Sequence, residues 1–89
     1  VPKLFVYADE RRGQPGHRAL EREGVRFLGA ARTGRGYRLA DADGGGFQLE
    51  AVLAPIGGPS VRGELYEVPY APAGAFEVRL DDGSTAWTR

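Results

Sequence analysis

The residues best able to do acid–base chemistry sit at the end of the first apolar run. Leu4-Phe5-Val6-Tyr7 leads into Ala8-Asp9-Glu10-Arg11-Arg12. A carboxylate at the mouth of a strand end can have a raised pKa and act as a general base. Asp9 and Glu10 are therefore the first candidates, with Glu10 as a catalytic group. Arg11 and Arg12 oppose that role, because a neighbouring cation favours the ionised carboxylate. The other reading is a charged, solvated turn. Glu64 and Glu67 form a second pair in "VRGELYEV". On a strand they face opposite ways, so only one of them can enter an enclosed site. Glu64, which shares its face with Arg62, Tyr66 and Val68, is the second catalytic candidate. Tyr7, Tyr37 and Tyr66 could donate hydroxyls to a pocket, although strand tyrosines more commonly pack in cores.

Composition removes several chemistries. The chain has 89 residues with no cysteine and one histidine, His17. Disulfides, thiolate catalysis, Cys-based zinc sites and His-cluster metal sites are excluded. His17 would need a partner carboxylate to act in catalysis. Gly44-Gly45-Gly46 lacks the G-x-G-x-x-G or Lys-Ser/Thr frame of a phosphate loop, so no cofactor is expected. Twelve basic and twelve acidic residues give zero formal charge. That balance argues against nucleic acid as the main partner. The arginines nevertheless concentrate early, at 11, 12, 18, 22, 26, 32, 35 and 38, and could form an anion-attracting face or simply solvated surfaces. No apolar run approaches a membrane span, and no signal-peptide pattern precedes the first strand. A cytoplasmic, soluble, single domain spanning residues 1–89 is expected.

The elements that must position these residues are mostly strands. Lys3–Tyr7 reads as a buried strand because its apolar run is continuous. His17–Glu23 carries Ala19, Leu20 and Glu23 at helical spacing, with Gly24 as its stop. Strands follow at Val25–Thr33, from Tyr37, at Phe47–Leu53 and at Val61–Val68. Ala75–Leu80 alternates, with Phe76, Val78 and Leu80 on one face. Asp82-Gly83 turns the chain into Ser84–Thr88. Regular strand spacing with 14 glycines predicts a small α+β protein, a mixed β-barrel with one short helix.

Several separated segments resemble the gamma-glutamylcyclotransferase-like family, in chain order. "LFVYADERRGQPGHRAL" resembles the family's "LFVYGTLRRGxxxHxxL"; "VRFLGAARTGRGYRL" resembles its second and third strands. "SVRGELYEVP" is similar to its "V.GelyeV", and "FEVRLDDGSTAWTR" to its closing hairpin. The related C-terminal domain of allophanate hydrolases shares the same elements. The resemblance implies a small barrel with a pocket at the end of the first strand. There a Tyr-Gly-x-Leu loop offers backbone amides to a substrate carboxylate. By that resemblance Tyr7, Ala8, Asp9 and Glu10 would line the substrate site, with Tyr66 nearby.

This chain departs from the family in two places. Ala8 replaces the Gly that permits an unusual φ, and Glu10 puts a charge where the family has an apolar residue. Only Pro69–Gly74 joins Val68 to Ala75, so the family's helix with its catalytic Glu has no counterpart. Two readings follow: a non-catalytic relative binding a small amide-type or amino-acid-like ligand or a protein partner, or an enzyme with altered cyclisation or amine-release chemistry using Glu10 or Glu64. An uncovered barrel edge would favour a homodimer.

Overall fold

The computed structural model describes residues 2–8, 11–14, 16–22, 24–53 and 57–89. The chain order is β1 (Lys3–Val6), α1 (His17–Glu21), β2 (Arg26–Arg32), β3 (Tyr37–Asp41), β4 (Phe47–Ala51), β5 (Arg62–Glu67), β6 (Phe76–Arg79) and β7 (Thr85–Thr88). Each strand overlaps a segment whose pattern predicts it. Five strands form one sheet in the order β2-β5-β1-β7-β6, and β3-β4 is a separate two-stranded ribbon.

β1 is the central strand. It runs antiparallel to β5, with Phe5 opposite Leu65 and Val6 opposite Glu64, and parallel to β7 through Leu4 and Trp87. Its continuous apolar sequence follows from burial on both faces. Phe5 and Tyr7 enter one cluster with Leu49, Val61, Val78, Leu80 and Ala86. Leu4 and Val6 enter the other with Leu20, Tyr66 and Val68. The β3-β4 ribbon supplies Leu49 to the first cluster, and α1 supplies Leu20 to the second. Val78 and Leu80 are buried as their alternation predicts, whereas Phe76 is 44% exposed at the sheet edge.

The expectation of an α+β barrel is corrected. Strand accounts for 46% of the described residues and helix for only 6%. α1 is a five-residue turn; Glu23, which was to close it, lies outside the described residues. A single turn cannot make a helical layer, so the architecture is essentially all β. Nor does the sheet close. Its edges meet at one corner, where Thr33 bridges Leu80. There the Gly34 N–H donates to the Arg79 carbonyl at 2.8 Å and the Asp81 N–H to the Arg32 carbonyl at 3.0 Å. The remainder of seven-residue β2 has no match in four-residue β6. Edges of such unequal length cannot pair throughout.

One close approach packs β5 tightly against β1. Gly63 of β5 is buried under β1, and a Cβ there would strike the Val6 carbonyl oxygen and come within 2.6 Å of Phe5 Cζ. Only hydrogen fits. At the last turn, Asp82 Oδ1 accepts hydrogen bonds from the Ser84 N–H at 2.9 Å and the Ser84 hydroxyl at 2.6 Å. This local side-chain turn is what the Asp-Gly sequence predicts.

Candidate functional site

β1 ends at Val6, and the chain turns immediately. Ala8 has φ 54°, the one described non-glycine residue with positive φ. Arg11 closes the turn on it: the Arg11 Nε donates to the Ala8 carbonyl at 3.1 Å. The left-handed conformation expected of a glycine is therefore kept by an alanine, at a cost of about 1–2 kcal/mol. Asp9 and Glu10 lie outside the described residues.

The next part of this loop is tied to β5. The Arg12 N–H donates to Glu64 Oε1 at 2.8 Å, and its guanidinium lies 3.5 Å from Oε2. The same guanidinium stacks 3.8 Å above the Phe27 ring, whose edge meets Tyr66 at 5.4 Å. The Tyr66 hydroxyl also donates to Glu64 Oε1, at 3.1 Å. Burial, and then this hydrogen bond and the Glu64 charge, push the Tyr66 phenol up to about 12. Tyr66 thus acts as a neutral donor. Beside it, the His17 ring lies 5.9 Å away and its Nε2 is 3.3 Å from Glu21 Oε1.

The sequence-predicted residues separate into two groups. Glu64 and Tyr66 are in direct contact. Tyr7 is on the opposite face of the sheet, 7% exposed. Its hydroxyl accepts the Leu49 N–H at 3.0 Å and donates to the Arg89 carbonyl at 3.1 Å, joining ribbon to sheet. Ala8 borders an open cleft of about 440 Å³ with Arg11, Arg38, Leu39, Pro59, Ser60, Val61 and Arg62. Glu64 borders an adjoining cleft of about 510 Å³, again with Arg11 and Arg62, and with Arg32, Gly63 and Asp81. Glu67 is paired with Arg26 at 3.1 Å outside both clefts, and that hydrogen-bonded cation holds its carboxyl below the usual range.

Arg62, which the strand period places on the Glu64 face without giving it a binding role, borders both clefts. It stands in an ordinary strand motif, and only pairing reveals its setting: β2 and β5 place it directly opposite Arg32. Like charges in that position are normally destabilising. Among the described residues, no carboxylate lies within ion-pair distance of Arg11, Arg32 or Arg62, while Arg12, Arg26 and Arg38 each have one. The arrangement can therefore hold an anion. The described residues contain no group of three or more His, Asp or Glu side chains able to hold a metal ion. No described helix is long and apolar enough to cross a membrane.

A fold of this strand order is shared with solved proteins. The allophanate hydrolase C-terminal domain matches residues 2–85, and the chain belongs to that family. The gamma-glutamylcyclotransferase-like family itself finds no support in the matches. A uropathogenic E. coli-specific protein superposes with a TM-score of 0.79 at 24% identity, covering 98% of this chain and 76% of that one. Kluyveromyces lactis allophanate hydrolase superposes with a TM-score of 0.80, also at 24% identity, over 98% of this chain. K. lactis urea amidolyase gives 0.78 at the same identity and coverage. The chain spans only 16% of that hydrolase and 6% of that amidolyase. At this identity the likeness shows the fold alone. No curated protein matches the sequence.

Proposed function

We propose that this domain binds a small carboxylate carrying amide groups, in the cleft bordered by Ala8, Arg11, Arg38 and Arg62. The observation that carries this reading is that three arginines line that cleft, two of them without an ion-pair partner among the described residues. A guanidinium fork matches a carboxylate with two parallel hydrogen bonds. Allophanate, named in the family and in the K. lactis hydrolase, has this chemistry: a carboxylate joined to a ureido group. The domain is read as holding its ligand rather than transforming it. Glu64, the described carboxylate nearest the loop after β1, is already engaged by Arg12 and Tyr66. A general base needs to reach the proton it abstracts.

The test is a calorimetric titration with N-carbamoylglycine, a stable ureido carboxylate, against its uncharged amide. The carboxylate binds saturably and the amide does not. Arg62→Gln weakens binding about tenfold, as loss of a charge-assisted pair does. Equal binding of both compounds would sink the carboxylate reading. Ammonia release from the bound ligand would replace holding by catalysis.

A further inference from the structure

A third cleft, larger than those two, opens at the corner where the two sheet edges meet. It has a volume of about 880 Å³ and is lined by Arg32, Arg35 and Arg79, by Thr33, Gly34, Gly58, Pro59 and Ser60, and by Asp81. We propose that it binds a phosphate-bearing anion; it borders the carboxylate cleft and shares Pro59 and Ser60 with it.

The three guanidinium groups are not neutralised, and two of them are anchored by hydrogen bonds. Arg32 Nη1 donates to the Ser60 hydroxyl at 3.0 Å. Arg35 Nη1 donates to the Gly57 carbonyl at 3.3 Å. Arg79 Nε passes 3.7 Å from where a Cβ on Gly34 would sit, so its side chain lies along that glycine. Each anchor is a neutral group, and no carboxylate is within ion-pair distance of any of the three among the described residues. Side chains held this way lose less freedom when a ligand arrives. In a chain with as many acids as bases, elsewhere used in pairs such as Arg26–Glu67, three uncompensated cations around one cleft are an electrostatic focus for an anion.

Charge and shape favour phosphate over a lone carboxylate. Three arginines against Asp81 leave a charge of +2 over the cleft, the complement of a phosphate dianion. A planar carboxylate satisfies one fork, whereas the oxygens of a phosphate point in three dimensions and can meet several. The Ser60 hydroxyl, while accepting from Arg32, keeps its own proton to donate. Asp81 is the opposing element: it repels the anion and so limits affinity.

Inorganic pyrophosphate is the probe, titrated into the full chain at constant ionic strength and followed by calorimetry. Saturable binding is expected. Arg79→Gln and Arg35→Gln each weaken it about tenfold, and Asp81→Asn tightens it about threefold. Arg18→Gln, remote from the cleft, leaves it unchanged. Adenosine triphosphate binds with similar affinity if the site reads phosphate alone, and more tightly if a nucleotide is its source of phosphate; both results support the proposal. Absence of saturation would overturn it. An equal loss with Arg18→Gln would overturn it too, as diffuse attraction. So would a single-stranded oligonucleotide that outcompetes pyrophosphate through the same arginines.

Discussion

Gly63 lies directly beneath the Phe5 ring, and the space between them admits no Cβ. The contact joins β5 to β1 at the point where both feed the larger core cluster. Gly63's neighbour Arg62 borders both adjoining clefts, and Glu64 borders one of them.

Gly63→Ala is accordingly expected to destabilise the fold by about 3 kcal/mol, at the upper end of overpacking effects. The obstacle is backbone as well as side chain, since the Val6 carbonyl oxygen is one of the atoms met. Trimming Phe5 to Leu in the same molecule should not restore stability. Urea denaturation of the single and double variants checks this, and full recovery in the double variant would show that the backbone gives way.

Ala8 makes the opposite prediction. Its φ of 54° costs an L-residue about 1–2 kcal/mol, part of which Gly returns through its greater freedom in the unfolded chain. Ala8→Gly should stabilise the domain by about 0.5 kcal/mol, or about 3 °C in Tm. Because the Ala8 methyl also packs against the core, a lower Tm would mean that this packing outweighs the strain.

Tyr7 ties the ribbon to the sheet. Tyr7→Phe removes the acceptor for the Leu49 N–H, in a residue only 5% exposed. A buried donor left without a partner costs about 1–3 kcal/mol. Hydrogen exchange at the Leu49 amide should accelerate in this variant, and unchanged exchange would refute the bridging role.

Tyr66 gives a pH signature. Its phenol titrates near 10 in the unfolded chain and at about 12 in the fold. The folded state therefore favours the neutral, protonated form. Its stabilising contribution is complete below pH 10 and disappears as pH rises through about 12. Urea midpoints measured across this alkaline range should fall less steeply in Tyr66→Phe than in the parent chain. Parallel profiles would show that Tyr66 ionises as it does in water.

The strand content was legible because its causes are local. Alternation in Phe76–Leu80, the unbroken apolar run of β1 and the Asp82-Gly83 turn each follow from side-chain period or turn chemistry in a few adjacent residues. Helical spacing likewise located α1, although only one turn forms. The unusual backbone at Ala8 was signalled by the family loop it resembles. The clefts were not legible to the same degree. The early arginines suggested an anion-attracting face, but nothing adjacent to Arg62 or Arg79 in sequence distinguishes them from solvated surface residues.

What the sequence by itself determined, then, is roughly where the strands lie, which chemistries are excluded by the absent cysteines and single histidine, and a likeness to the allophanate hydrolase C-terminal domain. The tertiary structure alone decided the pairing. It placed β1 between β5 and β7, left the sheet open because β6 is too short to cover β2, and set Arg32 opposite Arg62. It also sent Tyr7 and Tyr66 to opposite faces and engaged Glu64 with Arg12. Periodicity is a property of neighbouring residues, whereas register and edge closure depend on segments tens of residues apart, and the charges that face one another across a sheet are fixed only when those segments meet.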